Sequence, residues 1–232
     1  MEFFDNLIDD FYKSVSRYAR NDYPYSIEKQ WQDLGQNELV MQRESAYELD
    51  GIGFNLVTSK DLEDKITVIG DDLAEINGDR KFARVSVISI DSIDDEQRAY
   101  DLIRKIEYVK YHFFPKGYMT RTSSRSHKEI IRLSKSALNQ SITFEKIGNL
   151  LIHKYKENPS VKAVHTFFIT EKSVDYKSLE ALAVKNHSIT ETLNHIMNNV
   201  NFDCSSCNLK PICDEIEGMR ELHFKNAEKQ GM

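Results

Sequence analysis

The chain has 232 residues, of which 40% are hydrophobic, 29% are charged and 10% are aromatic, with only nine glycines and four prolines. This composition is typical of a globular protein and excludes collagen-like, low-complexity and largely disordered chains. A net charge of −6, from 31 basic and 37 acidic side chains, argues against broad nucleic-acid binding.

The sequence also predicts a protein without membrane or export signals. No apolar run approaches the roughly eighteen residues that a membrane span needs. The segment Met1–Asp5 is acidic where a secretory signal requires basic side chains. We therefore predict a cytoplasmic protein.

The first 44 residues are predicted to form an N-terminal helical region. Apolar side chains recur at helical spacing from Phe4 to Val15. Residues 21–24 end with a proline and break this helix. A second helix is predicted from about Ser26 to Arg43.

Short β-rich segments follow, at residues 46–49, 53–57, 65–69 and 84–90. Gly51 and Gly53 lie between the first two and predict a turn or a bulge. The acidic residues 94–96 then open a helix, because carboxylates are favourable at a helix N-terminus.

The rest of the chain mixes helices and strands. Helices are predicted at residues 126–138 and 143–156, and the chain is predicted to be helical again after Glu171. A separate helix is predicted at 188–200 from the capping-box spacing of Ser188 and Glu191. The apolar run 161–169 predicts a central strand. We predict an α+β fold, with a mixed or antiparallel sheet packed with helices. The predicted units are the region 1–44, an α+β domain at 45–185, and a helix with a Cys-rich metal-binding segment at 186–232.

A row of basic residues begins within a serine-rich stretch at 122–126 and continues beyond it. Arg125, Lys128, Arg132 and Lys135 recur at three- or four-residue spacing and would share one side of the predicted helix. Serines cap helix starts, where amide nitrogens attract anions. Together with Arg121, this side predicts a site for a phosphate-bearing ligand such as a nucleotide or coenzyme A, formed by Arg121, Arg125, Arg132 and Lys135. A solvated charged face is the commoner explanation of such a row.

The strongest chemical signal is the clustering of the chain's three cysteines, Cys204, Cys207 and Cys213, within ten residues. The Cys-x2-Cys pair presents two thiolates from one tight loop, as zinc and iron–sulfur sites require. A turn at Pro211 can return Cys213 to them, and His223 is a candidate fourth donor. In a reducing compartment this clustering indicates a metal site rather than disulfides. The spacing does not decide between zinc and an iron–sulfur cluster.

Five segments carry a family resemblance: residues 47–49 (YEL), 65–73 (KITVIGDDL), 131–137 (IRLSKSA), 144–151 (FEKIGNLL) and 161–171 (VKAVHTFFITE). In this order and with similar gaps, they resemble the middle domain of the acetyl-CoA synthase subunit, the β subunit, of CO dehydrogenase/acetyl-CoA synthase. The resemblance covers more than half of the chain.

The resemblance extends into the cysteine region. In the family, a helix and four cysteines follow this domain, and the cysteines hold the iron–sulfur cubane of a nickel-containing active site. The resemblance implies that Cys204, Cys207 and Cys213 correspond to the first three cluster ligands and His223 to the fourth. The sequence departs from the family in this histidine, in a shorter gap before Cys213, and in lacking the Cys-Gly-Cys pair that binds the distal nickel.

The resemblance therefore implies an iron–sulfur protein, with a 4Fe-4S cluster, of anaerobic one-carbon and acetyl-CoA metabolism. Without the nickel-binding residues it implies a non-catalytic electron-transfer or accessory subunit. Its implied partners are a corrinoid protein, a methyltransferase or a component of the CO dehydrogenase complex. Two alternatives stay open: a divergent CO-methylating acetyl-CoA synthase subunit that contributes coenzyme A binding, and a zinc-stapled binding module.

Overall fold

The computed structural model describes residues 4–32, 39–93, 95–122, 127–198, 207–216, 218–219 and 221–222. Within them, the helices are α1 (Asp5–Val15), α2 (Glu96–Tyr111), α3 (Lys135–Asn139), α4 (Phe144–Lys156), α5 (Tyr176–Met197) and α6 (Lys210–Glu215). The strands are β1 (Asn21–Pro24), β2 (Ser45–Thr58), β3 (Lys65–Ile69), β4 (Arg80–Ile90), β5 (Tyr118–Thr122), β6 (Lys128–Ser134) and β7 (Val161–Ile169).

These strands form one mixed sheet in the order β1-β3-β7-β4-β2-β6-β5. The β3–β7 and β2–β4 pairs are parallel, and the other neighbouring pairs are antiparallel. Strand β7 lies between β3 and β4, and its Phe167, Phe168 and Ile169 are fully buried, so the predicted internal strand is confirmed. A mixed sheet packed with helices confirms the α+β class.

Helices cover both faces of the sheet. On one face, Phe11 of α1 contacts Phe167 edge to face, with ring centroids 4.9 Å apart, and α5 packs beside α1. On the other face, Phe144 of α4 stacks on Phe168 at 4.6 Å. Among the described residues, no helix has the length and apolar character of a membrane span.

Helix α4 approaches the sheet closely at Gly148. A Cβ atom placed there would lie 2.5 Å from Ile66 Cγ1, which is closer than packed atoms lie, and in tight contact with Phe168 Cε2 at 3.1 Å. We expect Gly148→Val to lower the free energy of unfolding by about 1–3 kcal/mol, because the buried neighbours must move. Urea unfolding measures this change. The control is Lys154→Val on the same helix, and an equal loss in that variant would contradict the packing explanation.

The predicted helix over residues 26–43 is wrong in its described part. Strand β1 pairs with β3, and the described residues after it contain two short 3-10 turns, at Ile27–Lys29 and Gln42–Glu44, instead of a long helix. The reason is contact with α4 and the β5 side of the molecule. Ser26 N donates to Asn149 Oδ1 (2.7 Å), and Trp31 Nε1 donates to the Lys116 carbonyl (2.8 Å). Residues 33–38 lie outside the described part.

The predicted helix over residues 126–138 is also wrong, because most of it is strand β6. Its side chains alternate, with Glu129, Ile131 and Leu133 buried. Helix α3 begins only at Lys135, capped by Ser134 Oγ, which accepts from Ala137 N at 3.0 Å. Because one of the buried positions is a glutamate, the alternation of apolar and polar residues that predicts a strand is missing from the sequence.

Two smaller expectations change in the same way. Gly51 and Gly53 lie inside the continuous strand β2 rather than in a turn or bulge. The predicted start of a helix at Ser188 is wrong, since α5 begins at Tyr176, where Asp175 Oδ1 accepts from Lys177 N and Ser178 N. The predicted boundary between residues 185 and 186 therefore falls within α5.

Candidate functional site

The described part of the predicted metal segment is a turn followed by helix α6. Cys207 precedes the helix, and its carbonyl accepts from Lys210 N at 3.2 Å. Cys213 lies in the helix, which begins at Lys210 and has Pro211 in its first turn. Both thiols are half-buried, and neither forms a disulfide. Cys204 and His223 lie outside the described residues.

Helix α6 is attached to the main body by apolar contacts and one ion pair. Ile216, Met219 and Leu222 are buried in the main core, and Cys213 packs against it. Lys185 of α5 contacts Glu215, with Nζ and Oε1 2.5 Å apart. Apolar packing therefore holds Cys213 near α5.

Within the described part of the chain, no three His, Cys, Asp or Glu side chains are close enough to hold a metal ion. Because Cys204 and His223 lie outside that part, the four-ligand set remains a prediction. Its chemistry is suitable, since thiolates are soft donors that favour iron–sulfur clusters and zinc. Asp214 on α6 forms an ion pair with Lys210 at 2.6 Å.

The row of basic residues that was predicted to share one side of a helix does not lie on one helix. Arg121 is on β5, Arg132 is on the neighbouring β6, and Lys135 is the first residue of α3, whereas Arg125 lies outside the described residues. Glu48 Oε2 accepts from Arg132 Nη2 at 2.8 Å and from Arg121 Nη2 at 3.1 Å. The structure thus brings two of the predicted arginines together through a carboxylate.

A buried polar cluster was not predicted from the sequence. Arg84 of β4 is 4% exposed, and its Nη2 donates to Glu129 Oε2 at 2.8 Å. Its Nη1 donates to Asn55 Oδ1 and to Ser86 Oγ, both at 3.1 Å. Tyr155 of α4 donates to the same Asn55 oxygen at 2.8 Å. Burial alone would lower the pKa of Arg84, but the Glu129 carboxylate offsets this and raises it above the ordinary value.

Glycine makes room for this ion pair. A Cβ atom at Gly53 would lie 1.9 Å from Glu129 Oε2, so the carboxylate occupies the space above the glycine. Because the whole cluster lies inside the sheet and α4 layers, it positions strands rather than contacting a ligand. In the sequence, the only indication of this cluster was the glycine at position 53 within a β-rich segment. A glycine alone does not show that Glu129 lies above it.

A second polar chain surrounds His165 on β7. Thr67 donates to Asp22 Oδ1 at 2.6 Å and lies 2.8 Å from His165 Nε2. Since the hydroxyl proton is directed to Asp22, the imidazole Nε2–H donates to Thr67. Burial, followed by the positive charge of Lys65, lowers the pKa of His165 to about 4. The imidazole is therefore neutral near pH 7.

A small cleft opens between α2, α5 and the start of β6. Its polar wall contains Lys110 and Glu107, whose Nζ and Oε2 atoms are 2.7 Å apart. His127 and His187 line the same cleft. The cleft thus brings these two histidines to one surface, and the ion pair neutralises the charge beside them.

Comparison with known proteins identifies the region that contains the sheet. Residues 35–174 match the sequence model of the family described as CdhC, the CO dehydrogenase/acetyl-CoA synthase complex beta subunit. The match runs from just before β2 to the end of the loop after β7, and covers the Arg84 cluster and the Glu48 surface. No curated protein sequence matches the chain.

Proposed function

The chain belongs to the family of the CO dehydrogenase/acetyl-CoA synthase complex beta subunit, and on that premise we propose that it is an iron–sulfur protein of anaerobic one-carbon and acetyl-CoA metabolism. Its role is non-catalytic, either in electron transfer or as an accessory subunit of a CO dehydrogenase/acetyl-CoA synthase complex. The partner class is a corrinoid or methyl-transfer protein. The observation that carries the proposal is the family match next to a cluster of three cysteines.

The non-catalytic role is supported by the donor set. The 232 residues contain three cysteines and no Cys-Gly-Cys motif, so they lack the residues that bind the second nickel in the resembled family. Cys204, Cys207, Cys213 and His223 remain the proposed ligands of a 4Fe-4S cluster. When bound, such a cluster supplies one-electron chemistry.

The position of α6 supports a cluster held next to the family domain. Buried Ile216 and Met219 fix the end of α6 in the core, and Cys213 lies half-buried between them and solvent. The same packing predicts that a metal-free variant keeps its fold.

Metal analysis of anaerobically purified protein tests the proposal. We expect stoichiometric iron and acid-labile sulfide, both lost in a Cys204→Ser/Cys207→Ser double variant, because two of four ligands are removed. A Ser206→Ala variant within the same Cys-x2-Cys loop is the matched control and should keep both. The far-UV circular dichroism of the double variant should match that of the parent.

Three other outcomes are informative. Stoichiometric zinc without sulfide would reject the cluster and leave the zinc-stapled binding module. Unchanged metal in the double variant would reject the site itself. A His223→Ala variant that retains a stable cluster would remove His223 from the ligand set. Coenzyme A binding by Arg121, Arg125, Arg132 and Lys135 belongs to the alternative of a divergent synthase subunit.

A further inference from the structure

One side of the sheet edge formed by β2, β6 and β5 is not covered by any described helix or strand. Alternate residues of these strands point to opposite faces of the sheet. On the α4 side they are buried: Leu49, Glu129, Ile131, Tyr118 and Thr120. On the opposite side they are exposed or half-exposed, and we call this surface the open face: Glu48, Asp50, Met119, Arg121, Lys128, Ile130 and Arg132.

The same side of the sheet is covered by helices farther along. Phe54, at an alternate position of β2 beyond Asp50, packs against Phe11 of α1, with ring centroids 6.5 Å apart. Helix α5 also contacts β2 and β4. The register of β2 with β6 ends at Ile52, which is 7% exposed and marks where the helical layer begins. The open face is thus a continuation of a helix-binding surface.

Two large apolar side chains border the open face. Leu39 is 72% exposed and Met41 is 56% exposed, whereas Val40 between them is buried. Arg132 Nη1 donates to the Val40 carbonyl at 3.3 Å, which holds this segment beside β6. With Met119 and Ile130 they give the surface an apolar component.

The charge of this region is opposite to that of the whole chain. Three cationic and two anionic side chains lie on the open face, and Arg43 and Lys135 border it together with Glu44. Lys135 Nζ donates to the Arg43 carbonyl at 3.3 Å, so these border residues are adjacent. Asp79, whose Oδ1 accepts from Glu48 N at 2.7 Å, adds a fourth carboxylate. Five cations therefore accompany four carboxylates, in a chain whose net charge is −6.

We propose that the open face docks an acidic amphipathic helix of a partner protein. A helix is the element that covers the rest of this side, and its apolar stripe would pack on Met119 and Ile130. Flanking carboxylates would meet Arg121 and Arg132, whose guanidinium groups Glu48 already holds in place. This proposal is independent of the metal at the cysteines and goes beyond the proposed function.

Fluorescence anisotropy with synthetic peptides tests the proposal on the full chain. The probe is a labelled helical peptide with one leucine stripe flanked by glutamates, and the comparison peptide has lysines in place of the glutamates. We expect the acidic peptide alone to bind, more weakly as salt is raised, because salt screens exposed charges. Binding should weaken at least about tenfold in an Arg121→Glu/Arg132→Glu variant, the scale of a lost charged contact.

Two further variants separate docking from folding. Leu39→Ser/Met41→Ser changes exposed side chains only and should also weaken peptide binding. Lys162→Glu, at an exposed pair on the first residues of β7, is the control and should bind as the parent does. Equal binding of both peptides, full binding by both double variants, or coenzyme A binding here with no peptide binding would each overturn the proposal.

Discussion

Replacing Arg84 by methionine is expected to lower the free energy of unfolding by about 3–5 kcal/mol, because it leaves the Glu129 carboxylate buried without its cation. Glu129 is 3% exposed, and its two oxygens lie 3.0 Å from Arg84 Nε. Asn55 and Ser86 would also lose their shared donor. Urea unfolding followed by circular dichroism measures the loss.

A matched surface variant and a double variant give this prediction its controls. Lys162→Met removes an exposed ion pair with Asp61 and should cost less than about 1 kcal/mol. Arg84→Met/Glu129→Leu removes both buried charges and should recover most of the loss, since apolar pairs of similar volume replace buried ion pairs well. A loss in Arg84→Met no larger than that in Lys162→Met would contradict the buried-charge explanation.

Acidification is expected to destabilise the protein through His165. The folded-state pKa of this imidazole is lowered from 6.5 to about 4, so the unfolded chain binds a proton that the folded chain rejects. The free energy of unfolding contributed by His165 is complete above pH 6.5 and is lost as the pH falls from 6.5 to about 4. The loss amounts to roughly 3 kcal/mol, at about 1.4 kcal/mol for each unit of pKa shift.

The measurement is urea unfolding at several pH values across that interval. His165→Asn keeps an N–H donor near Thr67 but does not titrate, so its stability should change less between neutral and acidic pH. His112→Gln, at an exposed histidine, should follow the parent curve. The explanation fails if the parent and His165→Asn lose stability equally over this range.

Elements with a local signal were predicted well from the sequence. Strand β7 has a continuous apolar run, and α4 begins after Thr143, whose Oγ1 accepts from Lys146 N at 3.2 Å. Both patterns depend on residues close together in the chain. The predicted helix after residues 94–96 is also confirmed, and Asp95 caps it by accepting from Arg98 N at 2.7 Å.

Strand β6 could not be predicted because its pattern depends on a distant residue. Glu129 occupies an inward position only because Arg84, 45 residues earlier, neutralises it there. Considered without that pairing, the segment has basic residues at helical spacing, and this spacing favours a helix over a strand. The placement of the basic residues on one helix was wrong for the same reason, since Arg121 and Arg132 meet across a strand pair rather than along a helix face.

The cysteine site likewise has one part that the sequence predicts and one part that it does not. Spacing in the sequence identifies Cys204, Cys207 and Cys213 as a group, because that inference needs only short separations. It does not show how the group meets the rest of the molecule. That depends on the burial of Ile216 and Met219 in the main core, which are contacts made over long separations in the chain.

The 22 residues of α5 run without interruption from Tyr176 to Met197. At 1.5 Å per residue this is a strut of about 33 Å, with no backbone hinge at the point where the sequence suggested a new unit. One side of the strut is supported by β2 and β4, and α6 is attached near its middle through Lys185. The segment that carries Cys213 and the sheet therefore contact the same uninterrupted helix. Through this one helix, α6 and its Cys213 are linked to β2, the strand that presents Glu48 to the open face.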